Sequence, residues 1–130
     1  MTTRAQGKFD VTIAPLAIAD QAAAPTLGRM SIDKRFHGDL EATSTGEMLT
    51  AGTAVKDSAA YVAIERVTGT LHGRRGTFVL QHTGIMTRGV GQLTVAVVPD
   101  SGTDDLEGLV GTMSITIVGR EHSYDFEYAL

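Results

Sequence analysis

This sequence predicts an all-β fold, an antiparallel barrel of about eight strands closed on itself. Three observations carry that expectation. Runs rich in valine, isoleucine and threonine alternate apolar with polar residues, the period-two pattern of half-buried strands. Fifteen glycines punctuate those runs, as turns between short strands require. The connections are of hairpin length with no βαβ spacing, so closure is the simplest way to hide every sheet edge. A sandwich of similar size is the alternative. The 130 residues suit one domain, 1–130, with one substantial core.

Composition excludes several function classes. Hydrophobic residues make up 42% and charged residues 20%, ordinary for a folded globular chain. The formal charge is -4, and three lysines and eight arginines are scattered along the chain. They form no basic stripe, so nucleic acid is not an expected partner. Cysteine is absent, which removes disulfides, thiol nucleophiles and thiolate metal sites. The N-terminal MTTRAQGKFD lacks the apolar core of a signal peptide, and no apolar run approaches the ~20 residues that span a bilayer. No membrane partner is expected, and the cytoplasm is the default compartment.

Lys8 to Ile13 reads as the first strand, with Phe9, Val11 and Ile13 on one face. Ala14 to Thr26, bounded by Pro15 and Pro25, reads as a loop with at most one helical turn. From Gly28 a second strand puts Met30, Ile32 and Phe36 on its apolar face, with Lys34 intruding there. Matching Phe36 to Leu40 requires an odd loop, His37-Gly38-Asp39. The strand from Leu40 to Leu49 is more polar, and Gly46 marks a bulge or bend. Tyr61 to Gly84 follows as a hairpin, then Gln92 to Val98, ended by Pro99. Both faces of that last strand are largely apolar, so one of them is expected to meet another subunit. In Ser101 to Gly111, Thr103 is placed to cap a single helical turn that carries Leu106 and Leu109 inward, plugging a barrel end. The final strands alternate cleanly. A glycine-first turn at Gly119-Arg120 sets Ile117 opposite His122 and Ile115 opposite Tyr124.

The best candidate chemistry lies in the Tyr61 to Gly84 hairpin. With Gly73-Arg74 as a two-residue turn, Val67 faces Leu80 and Glu65 faces His82, with Tyr61 and Phe78 on the same side. A three-residue loop would instead bring Arg66 near His82 and send Glu65 to the other face. If Glu65 and His82 meet inside the barrel, burial raises the carboxylate pKa while each partner steadies the other's charged form, as proton transfer needs. His122 is a second candidate proton carrier. Tyr61, Phe78, Leu80, Tyr124 and Phe126 would line a cavity for a small apolar ligand. The plainer alternative makes the pair a structural ion pair, His122 a hydrogen-bonded core histidine and the aromatics core. The Arg74-Arg75 pair either attracts an anion at the rim or is merely solvated.

Other chemistries find no support. His37, His72, His82 and His122 lack metal-ligand spacing, so no metal and no cofactor is expected. Gly89-Val90-Gly91 has no strand-to-helix context, Ser101-Gly102-Thr103 is followed by no lysine, and no G-x-S-x-G elbow is present.

The strings YVAIERVTGTLHGRRGTFVLQHTG, PDSGTDDLEGLVG and HSYDFEYAL resemble a family of small bacterial proteins of unknown function whose barrel resembles allene oxide cyclase. The resemblance runs from GKFDVTI to the C-terminus. It implies an eight-stranded antiparallel barrel and self-association, a dimer or higher. Barrels of this architecture include cofactor-independent cyclases and isomerases, an analogy of fold alone. No motif shared with allene oxide cyclase lets a catalytic residue be carried over. The expectation is a barrel binding a small apolar molecule, with cyclisation or isomerisation driven by Glu65 and His82. A scaffold protein with a side-chain-filled barrel is the alternative.

Overall fold

The computed structural model describes every residue except 21 and 23–25. Eight antiparallel strands follow one another around a closed barrel: β1 (Thr3–Leu16), β2 (Leu27–Phe36), β3 (Leu40–Gly52), β4 (Ala59–Leu71), β5 (Arg74–Thr87), β6 (Val90–Val97), β7 (Val110–Val118) and β8 (Glu121–Ala129). A short 3-10 helix, Asp104–Leu106, lies between β6 and β7. Among the described residues no helix is long and apolar enough to cross a membrane.

β1 closes the barrel by serving two neighbours in succession. Thr3 to Phe9 pair with β8, and Phe9 to Leu16 pair with β2. The strand therefore runs past the expected end at Ile13 and takes in Pro15. Proline is tolerated there because β1 has by then lost its β8 neighbour, so no ladder hydrogen bond is missed. The middle of the loop expected over 14–26 lies outside the described residues.

Two hairpins test the register arguments. Gly119-Arg120 is the two-residue turn expected, with Ile117 opposite His122 and Ile115 opposite Tyr124. The β4–β5 turn is His72-Gly73 rather than Gly73-Arg74, so Glu65 lies opposite Leu80, Val67 opposite Phe78 and His82 opposite Ala63. Both turn residues have positive φ, 46° at His72 and 80° at Gly73, the mirror-image turn that suits strand twist. A slip of two residues leaves every side chain on its face, so alternation could not detect it. His72 anchors the observed choice: its N–H donates to the Asp39 carbonyl at 2.9 Å, and its Nδ1 lies 2.5 Å from the Tyr128 hydroxyl. The His37-Gly38-Asp39 connection is odd as expected and leaves Phe36 and Leu40 both buried, but Phe36 pairs with Ala42 rather than Leu40, again a shift of two that changes no face.

The seam between β6 and β7 is held by a single pairing, Ala96 with Thr112. Their connection occupies the β5 edge instead: Thr103 N–H donates to the Thr77 carbonyl at 2.9 Å, and Thr77 N–H donates to Thr103 Oγ1 at 3.0 Å. Thr103 does stand at the helix N-cap position, but that hydroxyl makes no cap hydrogen bond, being committed to β5. Leu106 and Leu109 go inward as expected. With Phe36, Phe78, Leu80, Val97 and Phe126 they fill that half of the barrel.

Candidate functional site

Glu65 faces inward from β4, between Gly46 of β3 and Leu80 of β5, and is completely buried. The ladder runs unbroken through Gly46, so no bulge forms there. Glycine is needed for proximity: a Cβ at Gly46 would stand 2.1 Å from the Ile64 carbonyl oxygen and 2.8 Å from the Glu65 Cβ. The missing side chain lets β3 press against β4 at the carboxylate.

Five polar side chains, Lys34, Ser44, Tyr61, Glu65 and His82, form one connected group. Glu65 Oε2 accepts from Lys34 Nζ at 2.8 Å and lies 2.6 Å from His82 Nε2. Its Oε1 accepts from the Ser44 hydroxyl at 2.8 Å. The Tyr61 hydroxyl stands 3.2 Å from His82 Nδ1. An ionised carboxylate only accepts, so His82 Nε2 carries the proton of that bond. In the neutral imidazole Nδ1 is then an acceptor, and Tyr61 donates to it. Gly84 makes this reach possible, because a Cβ there would lie 2.4 Å from the tyrosine Cε1.

Electrostatics fix the carboxylate charge. Burial alone pushes the Glu65 carboxyl up, but the His82 hydrogen bond and the charge and hydrogen bond of Lys34 outweigh it and hold it at about 2. The expected raising by burial is therefore outweighed, first by the His82 hydrogen bond and then by the charge and hydrogen bond of Lys34. Tyr61 is pushed up by burial and, secondly, by the Glu65 charge, which keeps its phenol protonated at rest. Lys34 also lies 5.0 Å from the Phe9 ring centroid and 5.7 Å from that of Phe36.

A cavity of about 800 Å³ fills the barrel end opposite the 3-10 helix. Lys34, Tyr61 and His82 reach it, among Val11, Ile32, Met48, Leu93 and Ile115. Two of its polar groups lie deep, Lys34 at 9% exposed and His82 at 3%, whereas Ile13 and Ile117 at the mouth are 48% and 61% exposed and the polar Thr26 and Gln92 are exposed as well. Glu65 is not part of the wall. It sits behind Lys34 and His82 and fixes them. Among the described residues no cluster of three or more histidine or carboxylate side chains suited to a metal ion occurs.

Residues 5–128 match the family model described as "Protein of unknown function (DUF3224)". The chain belongs to that family. A crystal structure of a DUF3224 protein with unknown function from Shewanella oneidensis MR-1 is 51% identical to this chain, with a TM-score of 0.94 over 100% of this chain and 98% of that one. No curated protein matches the chain.

Within this DUF3224 barrel the residues singled out from the sequence divide into three groups. Glu65, His82 and Tyr61 come together. His122 reaches the cavity wall beside Phe9, ring centroids 5.3 Å apart, without joining the Lys34–Glu65–His82–Tyr61 chain. Phe78, Leu80, Tyr124 and Phe126, expected to line the cavity, lie below it in the packed core. Phe78 and Phe126 stack at 5.9 Å. Tyr124 pins the β2–β3 loop, accepting from Leu40 N–H at 2.9 Å and donating to the His37 carbonyl at 2.8 Å. Sequence reasoning passed over Lys34 and Ser44 as site residues. The signal was present in both: each occupies an inward position on its strand, and a buried lysine requires a counter-charge.

Proposed function

We propose that this barrel binds a small, largely apolar molecule in its open half and moves a proton on it without a cofactor, the chemistry of an isomerase or cyclase. The observation that carries the reading is the set of connected, buried polar groups at the floor of a largely apolar cavity of about 800 Å³. That volume lies in the range of small-molecule sites, which pair apolar walls with a few convergent polar groups. Tyr61 and His82 act as a relay. A substrate proton passes to the Tyr61 oxygen as the phenol proton passes to His82 Nδ1, and Glu65 stabilises the imidazolium that results. Glu65 is a positioning residue in this scheme, because the substrate does not touch it.

The test begins with a thermal-shift screen of small apolar compounds, in which a ligand of the native state raises the melting temperature. For a compound that is also turned over, Glu65→Gln and His82→Ala are expected to abolish turnover and keep affinity. Unchanged turnover in both variants would remove the proposed roles.

We also propose self-association, through the outer face of β3 to β5 rather than of β6. Leu49 and Val62 are paired across the strands, and with Ile64 and Ile85 they are about half exposed. Ala96 on β6 and Val98 just beyond its end are already partly covered. A Val62→Glu variant should sediment as a smaller species than the wild type; identical sedimentation contradicts the assignment.

A further inference from the structure

We infer that the molecule this cavity takes is a carbonyl compound, entering carbonyl end first, with its oxygen against the Lys34 ammonium and its α-hydrogen facing the Tyr61 oxygen. This rests on the reading of the cavity as a ligand chamber and adds the substrate class.

The polarity gradient sets the direction of entry. An apolar body belongs along the walls, where apolar residues such as Ile13, Leu93 and Ile117 outnumber the polar Thr26, Gln92 and His122, and a polar end belongs at the floor, where the buried, hydrogen-bonded Lys34 and His82 lie. Lys34 selects the kind of polar end. It is a buried cation on the cavity wall, and one of its three N–H groups goes to Glu65. The remaining donors suit an acceptor oxygen. Charge balance then separates a neutral carbonyl from a carboxylate. Lys34 and Glu65 already neutralise each other at 2.8 Å, so a second carboxylate would bury an uncompensated negative charge beside the first. A ketone or aldehyde oxygen brings no charge until reaction creates it.

The same arrangement accounts for chemistry at the adjacent carbon. The α C–H bond breaks and its proton goes to the Tyr61 oxygen, while the O–H proton of Tyr61 goes to His82 Nδ1, 3.2 Å away. The C–H electron pair becomes the new C=C bond, and the carbonyl π pair moves onto oxygen as an enolate. That charge develops against Lys34, a preorganised cation in a site largely shielded from water. Reversal returns the proton to the same carbon, or to the γ-carbon of a conjugated enolate, giving an isomer. Atoms and electrons balance with no oxidant or second substrate. Lys34 and His82 share one oxygen of Glu65, so the electrophile and the proton relay are held together by a single carboxylate.

Three probes of matched shape test this: benzylacetone, butylbenzene and hydrocinnamate, each displacing the dye N-phenylnaphthylamine from the intact protein. Benzylacetone is expected to bind about tenfold tighter than either of the others, the worth of a hydrogen bond to a charged donor. Its α-hydrogens should exchange with deuterium oxide about a hundredfold or more faster than in buffer, followed by proton NMR. Tyr61→Phe should return exchange to the buffer rate with benzylacetone displacement unchanged within about threefold. Lys34→Met should erase the preference for benzylacetone over butylbenzene; if that variant does not fold, the wild-type ranking and Tyr61→Phe decide alone. Equal binding of benzylacetone and butylbenzene, tighter binding of hydrocinnamate, or exchange at the buffer rate overturns the carbonyl inference and leaves the ligand chamber standing. Displacement by none of the three overturns both.

Discussion

The two halves of this barrel are built from the same strands and the same alternation, yet one is solid and the other hollow. Below Glu65, the inward positions of β4 and β5 are Val67, Leu71, Phe78 and Leu80, all fully or nearly fully buried. Above it, the same two strands turn Tyr61, Gly84 and Met86 inward, and β6 adds Gly91 and Leu93. Alternation decides which residues face the axis, while their volume decides whether the axis is filled. The Lys34–Glu65–His82 group lies at the boundary, where a buried charge can have both a packed support behind it and a cavity in front.

The contrast predicts opposite responses to truncation. Phe126→Ala, in the packed half, should cost about 3–5 kcal/mol of stability by removing a completely buried ring. Leu93→Ala, on the wall of the hollow half and 46% exposed, should cost less than about 1 kcal/mol. Urea unfolding of both variants checks this, and similar costs would mean that the open half is packed in solution.

The boundary itself should be almost as sensitive as the packed half. Lys34→Met leaves Glu65 buried beside a histidine and a serine with its permanent cation gone, a loss of about 3 kcal/mol. Its melting temperature would show this directly, and a variant as stable as the wild type would mean that the ion pair is not formed.

A gentler probe of the same group is acid. The Glu65 carboxyl titrates at about 2 in the fold against 4.5 ordinarily, so the unfolded state binds its proton first as pH falls. The carboxylate's contribution to stability is complete above about pH 4.5 and is lost as pH drops toward about 2. Unfolding free energy measured across that window should decline more in the wild type than in Glu65→Gln. Parallel declines would contradict the assignment.

Much of this architecture was legible in the chain, and the gaps have physical causes. Strand identity, the Gly119-Arg120 turn and the inward plug by Leu106 and Leu109 each follow from local pattern. The shared face of Glu65 and His82 needed only the parity of one turn. Their detailed pairing did not follow, because moving the turn from Gly73-Arg74 to His72-Gly73 changes cross-strand partners and no faces. Lys34 stood out on an apolar face, but its counter-ion lies 31 residues away on a strand two positions around the barrel. The cavity was the least legible feature. It depends on the summed volume of inward side chains from all eight strands, which is why Phe78, Leu80, Tyr124 and Phe126 were expected on its walls and belong instead to the core beneath.

The central claim is that the open half is a chamber for a ligand, and filling it tests that most directly. Thr50 lines the chamber from β3 and is partly buried, so Thr50→Trp places a large ring into empty space without disturbing the packed half. Titration with N-phenylnaphthylamine should show one dye bound per barrel in the wild type and none in Thr50→Trp, with unfolding free energies within about 1 kcal/mol of each other. Equal dye binding by the two proteins, or no binding by the wild type, would contradict the account.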